Sequence, residues 1–498
     1  MKPIILTFLI AFTFFSCSKD SSDPIENETP VALPTLTTLT VSEIDGETAS
    51  SGGNVTDDGG ATITARGVCW STSANPTITD SKTSNGTGTG SFTSSLTNLS
   101  PNTEYHLRAY ATNSKGTAYG NEVIFTTEKA PSLVYEGDVY LSTQQQVNDF
   151  GDQGYTRFAG HFGIIAQENS IYSLEPLKNL ETVDQNFYVR SVFTLTSLDG
   201  LENLTNIGGS IEIQYNTDLA DLKALQGIQE IGGYLSIASN PKLKNLDGFE
   251  NLTTIGGYLA VDFNDILENI DGLSSLTSTG YGLYIISNPL LQNINGLSNL
   301  TTIGLNLTIY LNPSLTNLDG LSNLSTVGTL VRISSNDILT SIEGLNKLEI
   351  INGGLLIFEN PLLTSLEGLN NVVQIDEQVM INDNSSLSDL SGLNNLEQII
   401  GSLVISRNSA LTSVDGLENI VRIEAGLKID GNDSLANLDG LSSLTTLNES
   451  LTIDGNSTLT DLCGIKPMMD NDFPGIYSIQ FNAFNPSPQD LIDGNCSQ

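Results

Sequence analysis

The chain has 498 residues, with 19 Lys and Arg against 57 Asp and Glu, a formal net charge of −38. A surface this acidic repels phosphate backbones and no basic cluster offsets it, which argues against a nucleic-acid partner. Hydrophobic residues make up 39% and charged ones 15%, so this is a core-forming chain and not a disordered acidic tail.

At the N-terminus Lys2 precedes an apolar run, Ile4 to Phe15. The run is too short to cross a bilayer and suits the apolar region of a signal peptide. It ends in Phe14-Phe15-Ser16-Cys17, with Phe14 where the bacterial lipobox usually has Leu. A small residue before a cysteine here resembles the lipobox of bacterial lipoproteins. The resemblance implies a signal peptide over 1–16, cleavage before Cys17 and a diacylglyceryl group on its thiol. The other reading is a plain secretory signal with an incidental cysteine. No other segment reaches transmembrane length, so the lipid anchor would be the one membrane attachment. Residues 17–34 are acidic and Pro/Ser-rich, the composition of an extended tether spanning up to about 55–60 Å. Acidic residues after the cysteine resemble tags that send some Gram-negative lipoproteins outward. This implies a lipid-anchored location at the outer membrane or cell surface, with the face of that membrane left open.

Residues 35–128 alternate apolar and polar side chains between Gly/Asn/Asp turns, which predicts a small β-sandwich. Thr56-Asp57-Asp58-Gly59-Gly60 is expected to be a hairpin turn, followed by the strand Arg66-Gly67-Val68-Cys69-Trp70. The segment Leu99-Ser100-Pro101-Asn102-Thr103-Glu104-Tyr105, continuing to Ala111, resembles the E–F corner and F strand of fibronectin type III domains. The resemblance implies that Tyr105 is the corner tyrosine and Trp70 the core tryptophan. Cys69 then reads as an inert strand thiol, and His106 as facing solvent.

From about residue 160 the chain repeats with a period of 24 and no insertion for eleven turns. The strand positions are Ile213, Ile237, Val261, Ile285, Ile309, Ile333, Ile357, Ile381, Ile405, Ile429 and Ile453. Three residues after each stands an asparagine: Asn216, Asn240, Asn264, Asn288, Asn312, Asn336, Asn360, Asn384, Asn408, Asn432 and Asn456. In one turn the inward residues are Leu235, Ile237, Asn240, Leu243, Leu246, Phe249, Leu252 and Ile255. This spacing fits a coil that turns corners, with one side chain per short segment aimed at the axis. A single coil cannot fold alone, because its neighbours cover both its ends.

Amides have two donors and two acceptor lone pairs, so the asparagines are expected to form a structural ladder, each bonding the next and the buried bends. Asn312, central in the array, is expected to matter more than Asn456 near its end. Glycine pairs such as Gly256-Gly257 supply the turn before the next strand. Asp199, Asp247, Asp271, Asp319, Asp415 and Asp439, each before a glycine, read as Asx-type turns. The alternative, a carboxylate row binding divalent cations, stays open; no metal site or cofactor is assigned.

The repeat Leu-x-Ile-x-x-Asn-x-x-Leu-x-x-Leu-x-Gly-Leu-x-x-Leu-x-x-Ile-Gly-Gly resembles the leucine-rich repeat, and its Asn-x-x-Leu spacing is closer to receptor L domains. The resemblance implies an all-β chain: a small sandwich, then a long leucine-rich β-solenoid over 163–462. Residues 129–162 would be its N-terminal cap and 463–498 its C-terminal cap. In an oxidising compartment a Cys463–Cys496 disulfide pinning that cap is the best use of both thiols.

No His-Glu-x-x-His, Gly-x-Ser-x-Gly or phosphate loop is present, and inward positions spent on packing leave no cleft, so the chain reads as non-enzymatic. The informative surface is the outward face of the strands. It carries Tyr234, Tyr258, Tyr284, Ile286, Tyr310, Arg332, Leu356 and Phe358, continuing through Met380 and Val404. At about 4.8 Å per rung this predicts an aromatic and apolar strip some 30 Å long. Apolar patches of this size mark contact sites, and Tyr, Arg and Phe are hot-spot residues. The predicted function is adhesion or binding of a macromolecular partner, a protein or a glycan, at the cell surface. Polysaccharide capture, or a carbohydrate-active role, is the alternative, because aromatic rings also stack on sugars. The ligand and the oligomeric state stay open.

Overall fold

The computed structural model describes residues 30–166, 170–471 and 473–498. Cys17, the expected signal peptide over 1–16 and most of the expected tether over 17–34 lie outside the described residues. The chain divides into two compact units, meeting at Pro131 and Ser132.

The first unit is built from two antiparallel sheets. Strands β1 (Thr35–Thr38), β2 (Ala49–Asp57) and β5 (Gly90–Leu96) form one, in the order β1-β2-β5. Strands β3 (Ala65–Ser71), β4 (Ser81–Lys82), β6 (Glu104–Asn113) and β7 (Gly116–Tyr119) form the other, with β8 (Val123–Thr126) also on β6. Alternation along the strands sends Leu36, Val55, Phe92 and Leu96 from one sheet, and Val68, Leu107 and Phe125 from the other, into one core.

Three local expectations are corrected here. Residues 56–60 do not close a hairpin, because β3 pairs with β6 and not with β2, so this turn carries the chain from one sheet to the other. Asp57 and Asp58 each accept the N–H two residues on, from Gly59 and Gly60. Trp70 packs half-buried at the rim of the core. His106 is largely covered, its ring near Glu122 at 3.4 Å. Cys69 is a buried free thiol, pushed up to about 11 by burial, which keeps it protonated and unreactive.

The second unit is a β-solenoid. Each coil contributes a three- to five-residue strand to a 15-stranded parallel sheet and, in most coils, a two-residue strand to a second, 14-stranded sheet. Register is constant: Leu235 pairs with Leu259, Leu259 with Leu283 and Leu283 with Leu307. The third side holds the Gly-Leu turn, a short 3-10 segment in coils such as Asp271–Leu273 and Asp319–Leu321. In coil 235–258 the seven apolar inward residues are each at most 1% exposed, a gross burial on the order of 10–20 kcal/mol.

Glycine is required where coils come closest. A Cβ on Gly232 would stand 2.1 Å from the carbonyl oxygen of Gly208, so this column is fixed by close approach of neighbouring coils. The aspartates before the Gly-Leu turns do not make the Asx bond. Asn245, Asn269, Asn317 and Asn437 accept the N–H of Asp247, Asp271, Asp319 and Asp439, so the turn is made two residues earlier.

Both ends depart from a pure β chain. The helix Gln144–Gln153 is fixed by a Thr143–Gln146 capping box and ends at Gly154 in the left-handed region. It buries Val147, and with Tyr135, Tyr155 and Phe158 its Phe150 closes the first coil. An apolar coil end facing water needs such cover. At the other end Ile476–Gln480 adds a last strand, and Cys463 and Cys496 are joined.

Candidate functional site

From Ile211–Gln214 onward each long strand is followed by a residue in the left-handed region and then by the ladder asparagine. Tyr215, Phe263 and Leu311 have φ of 60°, 56° and 57°. A residue with a Cβ loses about 1–2 kcal/mol there, and Gly431 and Gly455 avoid that loss in later coils. The buried asparagine offsets it. Asn240 donates its N–H to Asn264 Oδ1 at 3.1 Å and its Nδ2 to the Ile213 carbonyl at 2.8 Å, and the same pair of bonds recurs coil after coil. All eleven are fully buried. The ladder continues past Asn456 through Asn482, which lies 26 residues on, and ends at Asn485. Asn456 is therefore an interior member, which corrects its reading as a terminal one.

On the long sheet Leu235 and Ile237 point inward, and the residues before, between and after such pairs point outward. Tyr234, Tyr258, Tyr284, Ile286, Tyr310, Arg332, Leu356 and Phe358 are all half-buried on this outer face, and so are Met380 and Val404. They form two groups. Tyr234 and Tyr258 stack with ring centres 4.5 Å apart, and Tyr284 meets Tyr258 edge-on at 5.9 Å. Arg332 lies between two rings, 4.5 Å from Tyr310 and 5.1 Å from Phe358. Ile286 joins the groups, directly in register with Tyr310. Burial raises the hydroxyls of Tyr234 and Tyr258 above their ordinary range, so both are neutral hydrogen-bonding groups at physiological pH.

The face extends further towards the N-terminus than the sequence reading placed it. Arg190 stacks on Tyr188 at 4.5 Å and pairs with buried Glu212, which also accepts from Tyr234 Oη. Residues 188, 190 and 212 occupy the same outward positions one and two coils earlier, so the period itself carried that signal. Asp262 shares the face. Burial pushes its carboxyl up to about 7, and its Oδ1 has no hydrogen-bond partner.

A second surface was not anticipated. Tyr215 and Phe263, 57% and 56% exposed, flank Ser239 on the row of left-handed bends, bounding a groove of about 590 Å³. Its signal in the sequence was the alternation of Tyr215, Phe263 and Leu311 with Ser239 and Ser287 before successive ladder asparagines. Among the described residues no group of three or more His, Cys, Asp or Glu is placed to hold a metal ion. No helix among them is long and apolar enough to cross a membrane.

Solved structures with a likeness to the chain include the sensor domain of the anti-sigma factor RsgI4 of Pseudobacteroides cellulosolvens. It is 16% identical over 20% of this chain and 98% of that one, with a TM-score of 0.16. Pectate lyase PelI of Erwinia chrysanthemi, solved with tetragalacturonic acid, is 10% identical over 75% of this chain and 85% of its own, TM-score 0.14. Pectate lyase Pel3 of Pectobacterium carotovorum is 8% identical over 89% and 91%, TM-score 0.15. Likenesses at this level say nothing of activity. Among curated proteins none matches the chain. The Receptor L domain family model matches residues 205–296, the coils that carry Tyr234, Tyr258, Tyr284 and Ile286.

Proposed function

We propose that the chain is a non-enzymatic binding protein, held at the bacterial cell surface by a lipid on Cys17, whose contact surface is the outer face of the long sheet. The observation that carries this reading is the run of half-buried aromatic and apolar side chains from Tyr234 to Phe358 on one sheet face. Tyr, Arg and Phe supply large contact area and are hot-spot types. The match of coils 205–296 to the Receptor L domain supports binding as the role. The sandwich of β1–β8 serves as a spacer between lipid and solenoid. Its likeness to fibronectin type III domains is supported by the Tyr105 hydroxyl, which accepts the Ser100 N–H at 3.0 Å across the corner.

The test replaces Tyr284 and Tyr310 together by Ser. Folding stability changes little, because both side chains are only half-buried, while affinity for the partner falls by at least 2 kcal/mol. Thr452→Ser, at the polar end of the same face, leaves binding unchanged. A protein pull-down beside a glycan array identifies the partner class; a ligand bound equally well by the double variant places the contact surface elsewhere.

A further inference from the structure

We propose, on the reading that the outer sheet face is the contact surface, that Arg332 is the receiving point for a carboxylate presented by a protein partner. Charge sets Arg332 apart. In a chain with 57 carboxylates and 19 Lys and Arg, an arginine readily finds an acidic neighbour. In the solenoid Arg157 pairs with Asp184, Arg190 with Glu212, Arg407 with Asp383 and Arg422 with Glu424. Arg332 does not. Its Nε donates to Ser334 Oγ at 3.0 Å. Among the described residues neither of its terminal nitrogens has an acceptor.

The guanidinium is also held in place. Sandwiched between the Tyr310 and Phe358 rings, the planar fork has given up its rotamer freedom before any ligand arrives, which lowers the cost of binding. A carboxylate meeting it makes two parallel charge-assisted bonds. On the outward positions of the strands from Leu235 to Leu403 the one other charged side chain is Asp262, three rungs or about 14 Å away. Glu359, on the adjoining bend, is engaged by Ser335 Oγ at 2.6 Å. On the outward positions of the strands themselves Arg332 is therefore the one positive charge at the centre of the face, and the complementary group is a single acidic one.

The surroundings favour a protein over a glycan. Ile286, Leu356, Met380 and Val404 flank the site, and sugar hydroxyls leave that aliphatic surface unmatched. Aromatic residues, Met and Arg with few acidic groups is the composition of a protein–protein interface core.

The experiment uses the full chain and a random peptide phage library. Peptides are kept if they bind the parent chain but not Tyr284→Ser, which reports the face without touching Arg332. These peptides should be enriched in Asp or Glu, bind Arg332→Gln at least tenfold more weakly, and bind Arg332→Lys with an intermediate loss, since Lys keeps the charge without the fork. Fresh selection on Arg332→Glu should yield Lys or Arg at the same place. Circular dichroism and melting midpoints matching the parent establish that each variant is folded. Face-dependent peptides without acidic enrichment, or bound undiminished by Arg332→Gln, would overturn the carboxylate assignment and leave the face standing. Absence of any Tyr284-sensitive peptide, together with no Arg332-dependent binding of an oligouronate, would overturn both readings. An oligouronate whose binding depends on Arg332, with no such peptide, would overturn the protein assignment in favour of an acidic glycan.

Discussion

Replacing Asn312 by Leu tests the ladder at its centre. Asn312 Oδ1 accepts the N–H of Asn288 at 3.1 Å and its Nδ2–H at 3.3 Å. Its own Nδ2 donates to the carbonyls of Ile285 and Tyr310 at 2.9 and 3.1 Å. Leucine removes these four bonds and a fifth, from Asn312 Nδ2 to Asn336 Oδ1 at 3.4 Å, at a fully buried position. The Asn288 N–H loses its acceptor outright, and the Ile285 carbonyl loses its side-chain donor; Asn288 Nδ2 keeps two other carbonyls. One stranded buried N–H gives a loss of about 1–3 kcal/mol, since the Ile285 carbonyl stays paired in the sheet. Because the ladder runs on to Asn482 and Asn485, Asn456→Leu should lose as much. Asn485→Leu, at an exposed position where water substitutes, should lose less than about 1 kcal/mol. Repeat arrays need not unfold in one step, so urea unfolding by circular dichroism should be paired with hydrogen exchange of the Asn288 amide. The expected outcome is deprotection of that amide and a midpoint drop shared by Asn312 and Asn456 variants but not by Asn485. Unchanged exchange and midpoint in Asn312→Leu would refute the ladder as a source of stability.

Reducing Cys463–Cys496, which closes a loop of 33 residues, should cost about 3–4 kcal/mol by chain entropy; limited proteolysis should then cut first between Lys466 and Ile492, and an unchanged digestion pattern counts against the cap's dependence on the bond. Asp262 has a folded pKa raised by burial from 3.8 to about 7, so the folded state favours its protonated form. The stability this contributes is fully present below about pH 4 and is lost as pH rises through 7. Asp262→Asn should accordingly gain on the parent across that window, by up to about 4 kcal/mol, and parallel pH profiles of melting midpoint would contradict it. Cys17→Ser should move the protein from the detergent-extracted membrane fraction to the soluble one, whereas unchanged partition rules out acylation at that residue.

In a solenoid without insertions the spatial neighbour of residue i is residue i+24, so the contacts along the axis are written in the sequence. The inward positions of Leu235, Ile237 and Phe249, the buried asparagines and the outward placement of Tyr258 and Tyr284 follow from that one number. Only the tertiary structure decided what happens across the axis or where the period breaks. Stacking of Arg332 between Tyr310 and Phe358 depends on rotamers that cross from one outward row to another, which spacing does not specify. The left-handed bends at Tyr215 and Phe263 were hidden because propensity disfavours them, and the buried amide beside each overrides it. The helix Gln144–Gln153 and the ladder's end at Asn485 lie where the repeat stops. There the exposed coil end, rather than any repeated residue, sets what must cover it, and that demand is invisible until the coils are stacked.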